Sequence, residues 1–150
     1  MKKKNMAVIG MVVGCLMMVA GAAWAGVAMP GAANGTFKFG NLVLLLNPNS
    51  CLEKMNWDSA VSRAKSLASG QCGLTDGSKA GQWRLATPDE LHRLGNAELK
   101  LGNFGYWSDS VTLQDYRGEV AQVCYMHSGW MDTYEKKTEN QYFLPVRNAP

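Results

Sequence analysis

The segment from Trp83 to Leu94 constrains the fold most strongly, because it encodes a sharp change from extended chain to helix. Thr87 is a good N-cap, and Glu90, three residues on, can reach back to the backbone N–H of Thr87. Pro88 falls at the first helical position, where its missing N–H costs nothing. The segment therefore predicts a strand that turns directly into a capped helix.

The first residues have the composition of an export signal. Lysines at 2–4 precede an apolar run over 6–20, and Ala23-Trp24-Ala25 follows as a small-x-small cleavage site. We therefore expect residues 1–25 to be a signal peptide. The mature chain would begin at Gly26 and be exported to the periplasm, the cell surface or the medium.

A competing interpretation starts from Val12-Val13-Gly14-Cys15, which has the letters of a lipoprotein-processing box and would leave a lipid on Cys15. The apolar run continues past Cys15 through 16–19, whereas a lipoprotein signal normally ends at that cysteine. An uncleaved anchor is a third alternative, but the run is short for a span of about 20 residues. Signal cleavage and lipidation both stay open at this point.

After the signal, about 125 residues remain, enough for one domain with a single core. Residues 26–35 are small and flexible and predict a disordered leader. Residues 36–150 form the predicted domain.

The mature chain carries no net formal charge. The signal holds three of the fifteen basic residues and none of the twelve acidic ones, so twelve of each remain. Beyond Lys136-Lys137 there is no basic run suited to nucleic acid or to an anionic membrane. We therefore expect no nucleic-acid partner, and no membrane span after signal cleavage.

Three cysteines remain after cleavage, which in an exported protein suggests one bridge and one leftover thiol. We expect a Cys51–Cys72 disulfide, because a helix over 57–67 lies between them and would be about 16 Å long. Residues 52–56, when extended, can retrace about that distance. The bridge would contribute on the order of 3 kcal/mol. Cys124 is then free, or pairs between chains.

The apolar pattern predicts an α+β domain. The second half of a strand over 36–46 is too continuously apolar for a two-faced strand, so we expect burial on both sides. Asn56 caps the amphipathic helix over 57–67, and a second helix over 88–94 ends at Gly95. Four later segments predict a meander of short antiparallel strands: 105–108, 119–127, 130–134 and 142–147.

Five short motifs follow one another along this pattern. They are Asn-Trp-x-x-Ala at 56–60, Ala-Ser-Gly-Gln-Cys-Gly-Leu-Thr-Asp-Gly-Ser at 68–78, Trp-Arg-Leu-x-Thr at 83–87 with Glu90-Leu91, Tyr-Trp-Ser at 106–108 and Pro-Val-Arg at 145–147. Together they resemble the Lcl C-terminal domain family of exported bacterial proteins, which includes a collagen-like adhesin. The resemblance covers about 39–147.

The resemblance implies a C-type-lectin-like domain with two short helices and a small antiparallel sheet. In the adhesin member it implies binding of a sulfated polysaccharide, but a neutral domain lacks the dense positive surface that such chains favour. The chain also departs from the family at Ala86, where members usually carry Pro, and near Leu44, where they carry Trp.

The aromatic residues divide into two groups. Those within the family motifs are expected in the core, since each buries a large area, although a binding role for Trp83 and Trp107 stays open. Those on the later strands are candidates for stacking on sugar rings. The first group is Trp57, Trp83, Tyr106 and Trp107; the second is Tyr125, Trp130, Tyr134 and Tyr142.

Arg84 is the remaining candidate ligand-binding residue. It follows a tryptophan in a predicted strand, where an unpaired buried charge would be costly. Two interpretations remain open: an ion pair or backbone clamp that fixes the corner, or an anion-binding arginine. Arg147 has the same two interpretations.

The sequence contains only weak indications of a metal site or of a catalytic site. Asp76, Ser78 and Asp109 could supply oxygen ligands to calcium, but there is no dense Asp-x-Asp cluster. His92 and His127 lack metal-ligand spacing. We therefore expect neither a metal nor another cofactor.

A nucleophile-and-base pair of Cys124 and His127 is disfavoured, because residues three apart on a strand point to opposite faces. The export signal, the resemblance to the Lcl C-terminal domain family and the lack of a catalytic constellation together lead us to expect a secreted or envelope domain. We expect that it is not an enzyme and that it binds glycans or another extracellular surface, as the adhesin of that family does. The alternative is a structural or assembly subunit of a cell-surface structure, which could form a homo-oligomer. The flexible leader and the spare Cys124 suggest this alternative.

Overall fold

The structure is a computed structural model, and it describes residues 32–46, 48, 51–97, 99, 101–102, 104–115, 118–136 and 138–150. The predicted signal peptide, Cys15 and the first residues of the predicted leader lie outside the described residues.

The described residues form two helices and nine strands. The helices are α1 (Trp57–Ser66) and α2 (Pro88–Asn96). The strands are β1 (Ala32–Ala33), β2 (Thr36–Phe39), β3 (Leu42–Leu45), β4 (Arg84–Leu85), β5 (Gly105–Asp115), β6 (Gly118–Tyr125), β7 (Trp130–Glu135), β8 (Tyr142–Phe143) and β9 (Pro145–Asn148). This mixture confirms the α+β class.

The strands form two sheets rather than the single small antiparallel sheet that we expected. One has the order β1-β2-β3-β9-β4 and the other the order β7-β6-β5-β8. The predicted strand over 142–147 is divided at Leu144, so that β8 pairs with β5 and β9 pairs with β3 and β4. Strands β5, β6 and β7 form the predicted antiparallel meander. The last predicted segment departs from it, because the β5–β8 pair is parallel. The chain changes sheets at Pro145, which lacks the N–H that a continuous strand would use.

The predicted leader does not extend through residues 32–35. Ala32 and Ala33 pair with Phe37 and Thr36 as an antiparallel hairpin. The turn between them is Asn34-Gly35, with φ of 54° and 76°. A two-residue hairpin turn with both φ values positive favours the Asn-Gly pair, so local turn chemistry brings these residues into the sheet.

The core lies on both sides of β3. Its alternate residues, Val43 with Leu45 and Leu42 with Leu44, enter two separate hydrophobic clusters. All four are buried, which confirms the prediction for the apolar half of the first strand. Helix α1 contributes to the first cluster and α2 to the second. The two helices therefore lie against opposite sides of the strands.

The predicted capping contacts are confirmed. The Asn56 side chain accepts a hydrogen bond from the N–H of Ser59 at 2.9 Å. At α2, the Thr87 hydroxyl accepts from the N–H of Glu90 at 3.2 Å, and the Glu90 carboxylate accepts from the N–H of Thr87 at 2.8 Å. These local contacts define where both helices begin.

Helix α2 does not end at Gly95 as predicted but continues to Asn96. A Cβ on Gly95 would lie 3.3 Å from the carbonyl oxygen of Met126. The glycine therefore lets α2 lie close to the turn that precedes β7. A packing requirement, rather than helix termination, explains this glycine.

The predicted Cys51–Cys72 disulfide is confirmed, with the two Cα atoms 5.5 Å apart. Cys124 is a free cysteine that lies on β6 and is 0% exposed. Burial raises the pKa of its thiol. This thiol is not placed to form a disulfide between chains.

Helices long and apolar enough to cross a membrane are absent from the part of the chain that the structure describes.

Replacing Trp83 tests its place in the core. Trp83 is 1% exposed and its indole N–H donates to the Ser78 hydroxyl at 3.0 Å. We expect Trp83→Ala to lower the free energy of unfolding in urea by about 3–5 kcal/mol. The matched control is Trp130→Ala, which removes a side chain that is 66% exposed and should cost less than about 0.5 kcal/mol. Equal costs for the two variants would contradict the assignment.

Candidate functional site

Three of the five predicted ligand-binding residues lie together on β6 and β7. Tyr125 pairs with Trp130, and Ala121 pairs with Tyr134. Paired residues point to the same side of a sheet, as do alternate residues of one strand. Tyr125, Trp130, Asp132 and Tyr134 therefore share one face, which we call the β6–β7 face.

Trp130 lies on this face and is the most exposed large hydrophobic side chain that the structure describes. It is 66% exposed, compared with 39% for Phe104 and 44% for Val111, the other exposed large hydrophobic residues in the described part of the chain. A tryptophan has an apolar ring and a polar N–H, and it is enriched where a protein contacts a partner. Its position at the start of β7 leaves the ring available to a ligand.

The two tyrosines of the face are joined by a hydrogen bond between the Tyr125 and Tyr134 hydroxyls. This hydrogen bond is the largest of several effects, with burial and nearby charges, that raise the pKa of Tyr134 to about 12. The Tyr134 ring also packs edge-on against Trp107, with centroids 6.4 Å apart. The face thus holds a pre-positioned phenol that is neutral at physiological pH.

Asp132 lies between Trp130 and Tyr134 on β7 and is exposed. One of its carboxylate oxygens accepts a hydrogen bond from the N–H of Thr133 at 2.7 Å. The carboxylate is near enough to the Tyr134 hydroxyl to contribute to its raised pKa. We did not predict Asp132 as a site residue, although the alternation of Trp130, Asp132 and Tyr134 along a strand was a signal for it.

A glycine extends the β6–β7 face across the sheet. Gly105 of β5 pairs with Tyr125, and a Cβ there would lie 2.8 Å from Cγ1 of Val123, 3.3 Å from the Tyr125 ring and 3.0 Å from Oε1 of Gln141. The missing side chain therefore makes room for Tyr125 and Gln141. With adjacent strands about 4.8 Å apart, the row from Trp130 to Gln141 spans about 14 Å.

The other end of the β6–β7 ladder carries a charged group. The Lys136 ammonium lies 3.1 Å from the Glu119 carboxylate, 3.4 Å from that of Asp58 and 4.5 Å from the centre of the Trp57 ring. Burial alone would lower the pKa of Lys136, but the two carboxylates outweigh burial and raise it. Lys136 is therefore positively charged and already paired.

Tyr142 does not join the β6–β7 face. It packs against Phe104 and Tyr106, with ring centroids 4.7 Å and 6.1 Å away, and the Lys54 ammonium lies 5.0 Å from the centre of its ring. Tyr142 belongs to the second hydrophobic cluster, whereas Tyr125 and Tyr134 pack against the first. The two groups therefore lie on opposite sides of the sheet.

Arg84 forms the ion pair that was the first of the two interpretations drawn from the sequence. Its guanidinium donates to the two carboxylate oxygens of Glu90 at 2.7 Å and 2.8 Å, and to the carbonyl oxygen of Leu85 at 3.0 Å. Glu90 is the residue that also completes the α2 capping contacts. Arg84 thus fixes the corner between β4 and α2.

Arg147 and two of the candidate calcium ligands form one buried network. Arg147 donates to one oxygen of Asp76 at 2.9 Å. The other oxygen accepts from the N–H and hydroxyl of Ser78 at 3.1 Å and 2.7 Å. Burial by itself would raise the pKa of Asp76, but these hydrogen bonds lower it. Asp76 and Ser78 are therefore engaged with the protein itself.

The remaining metal-binding and catalytic candidates are described residues that do not form a site. Asp109 lies near Arg84 and Glu90, and burial is the main cause of its raised pKa. Cys124 is buried whereas His127 is exposed. Within the described ranges, no group of three or more His, Cys, Asp or Glu residues could hold a metal ion.

Comparison with protein-family models and with curated proteins finds no match. The resemblance to the Lcl C-terminal domain family therefore stays a prediction.

The Arg84–Glu90 ion pair predicts a specific acid sensitivity. The hydrogen bonds from Arg84 are the largest cause of the lowered pKa of Glu90, whose ordinary value is 4.5. Because the folded-state pKa is lowered, the stabilisation is complete above about pH 4.5 and is lost as pH falls through the folded-state pKa. Glu90→Gln should destabilise the protein near pH 6, with a deficit that shrinks towards pH 3.

The measurement is the free energy of unfolding of both proteins in urea across this pH range. Asp89→Asn, which removes an exposed carboxylate from the same helical turn, is the control and should not reproduce the convergence. A Glu90→Gln deficit that stays constant with pH would contradict the role of the ion pair.

Proposed function

We propose that this chain is an exported, non-enzymatic binding domain that recognises glycans through the β6–β7 face. The observation that carries the proposal is the exposed indole of Trp130 beside a hydrogen-bonded tyrosine pair and the exposed carboxylate of Asp132. Ligand sites typically combine aromatic surface with a few well-placed polar groups. This is the combination that a sugar requires, since each ring has apolar C–H faces and a rim of hydroxyls.

The division of roles follows from the chemistry of each side chain. The Trp130 ring would stack on the C–H face of one sugar. The Asp132 carboxylate would accept hydrogen bonds from sugar hydroxyls, and the tyrosine pair could both donate and accept. The row that continues past Gly105 to Gln141 offers an amide group to a neighbouring sugar.

The surroundings hold these groups in place before a ligand arrives. Tyr134 rests on buried Trp107, and Tyr125 lies close to the backbone of Gly105. Rigid aromatic groups lose little conformational entropy on binding, which improves affinity. A preformed surface of this kind suits recognition of a repeated polymer on a cell surface.

We further propose that the domain has a C-type-lectin-like fold and belongs to the Lcl C-terminal domain family. Five motifs in a fixed order support this proposal, and the α+β order of elements is compatible with it. The adhesive role of the collagen-like family member supports an adhesin-like function here. Its sulfated ligand does not transfer automatically, because the mature domain is expected to be neutral.

An assembly subunit is the second candidate function. Strand β7 forms one edge of its sheet, and Trp130 at its start is exposed. Exposed edge strands can pair with a strand from another chain. Static light scattering discriminates between the candidates: a discrete oligomer that dissociates on Trp130→Ala, with no glycan bound, would favour assembly.

A glycan array with neutral, amino-sugar and sulfated panels tests the leading proposal. We expect the purified protein to bind at least one class, and Trp130→Ala to weaken that binding about tenfold or more, as for a hot-spot aromatic. Phe104→Ala is the matched control, because Phe104 is an exposed aromatic residue whose ring packs against Tyr142. A flat response on all panels, or equal losses for both variants, would contradict the proposal.

A further inference from the structure

The described side chains around the β6–β7 face carry more negative than positive charge. The described side chains along this side of the ladder include three carboxylates, from Asp58, Glu119 and Asp132, and one ammonium, from Lys136. Their formal charge is therefore −2. Because Asp58 and Glu119 both contact Lys136, this ammonium is already neutralised within the protein.

Asp132 is the carboxylate that remains available. It is exposed, and no ion pair of Asp132 occurs among the residues that the structure describes. The N–H of Thr133 donates to one of its carboxylate oxygens, and the Tyr134 hydroxyl is close enough to interact with the carboxylate as well. A carboxylate has room for several donors, so Asp132 can receive a charged group from a ligand.

The neighbours of Asp132 also favour a cation. Trp130 and Tyr134 flank it on the same side of β7, and the face of an aromatic ring attracts a positive charge, most strongly for tryptophan. The positions of Trp130 and Asp132 are about 7 Å apart along the strand. A sugar stacked on the indole can bridge this distance with a substituent on its ring. An anionic sulfate at the same place would meet the Asp132 carboxylate and be repelled.

We infer that the ligand is a polysaccharide that contains amino sugars with free ammonium groups, and that Asp132 selects it by pairing with the ammonium beside the Trp130 ring. This inference rests on the proposed glycan-binding function and names its ligand class. It predicts an opposite preference to that of the sulfated-polysaccharide adhesin. Binding should weaken when salt screens the exposed ion pair.

Isothermal titration calorimetry with oligomers of glucosamine and of N-acetylglucosamine, matched in length and linkage, tests the inference. Acetylation removes the ammonium charge and leaves the sugar ring in place. We expect the native protein to bind the glucosamine oligomer about fivefold more tightly, as one exposed ion pair allows. Asp132→Asn should abolish this difference, whereas Asp132→Glu, which retains the charge, should keep part of it.

Asp89→Asn, an exposed carboxylate on α2, is the charge-matched control and should keep the full preference. Thermal unfolding of each variant verifies that it is folded. Equal affinity for the two oligomers, a preference that survives in Asp132→Asn, or tighter binding of a sulfated glycan would overturn the inference.

Three further outcomes distinguish failure of this inference from failure of the proposed function on which it rests. Oligolysine that binds as tightly as the glucosamine oligomer, with the same dependence on Asp132, would overturn the assignment to a sugar. Failure of the proposed function has a different signature: no glycan of any class binds, and Trp130→Ala changes nothing. A neutral glycan that binds through Trp130 would overturn the amino-sugar preference and retain glycan recognition.

Discussion

The ion pair between Arg147 and Asp76 is the interaction on which the arrangement of the sheets depends. It is largely removed from water, since the side chains are 19% and 5% exposed. Asp76 holds Ser78, which in turn accepts the indole N–H of Trp83, and the Arg147 guanidinium lies 5.3 Å from the centre of that indole. Loss of one partner would leave a buried charge, which is strongly destabilising. The network thereby attaches β9 to the loop that leads from Cys72 to β4.

The position of β9 has consequences for the binding surface. Strand β9 lies between β3 and β4, and it directly follows β8, which pairs with β5 of the second sheet. Indole hydrogen bonds also connect β5 with the chain at the start of α1. Trp107 donates to the Met55 carbonyl and Trp57 donates to the Ser108 carbonyl, both at 2.8 Å. Several strand pairings and side-chain hydrogen bonds therefore hold the sheet that carries the β6–β7 face in place, as a pre-positioned site requires.

The features that sequence predicts well are those encoded by neighbouring residues. The Thr87 capping contacts, the Asn56 cap and the Cys51–Cys72 bridge depend on short-range chemistry, and all are present. The division into two sheets depends on pairings such as Tyr106 with Tyr142, which no local pattern contains. The hairpin at Asn34-Gly35 did have a local signal, but the surrounding small residues suggested a flexible leader.

The candidate site shows the same difference between features encoded by neighbouring residues and features set by distant strand pairings. Residue type alone identified Tyr125, Trp130 and Tyr134 as candidates, but only strand register separates them from Tyr142, which lies on the other side of the sheet. The ion pair with Glu90 decided the role of Arg84, since an arginine beside an acidic helix cap is better placed to pair than to bind a ligand. Asp132 gains its proposed role from its neighbours in space rather than from any motif.

Nuclear magnetic resonance tests most directly whether the β6–β7 face is the binding surface. In a titration of the isotopically labelled protein with the glucosamine oligomer, we expect the indole N–H signal of Trp130 and the amides of β7 to shift progressively, while the indole signals of buried Trp83 and Trp107 stay in place. Shifts confined to Phe104, Tyr142 and their neighbours, with Trp130 unaffected, would show that the ligand binds elsewhere.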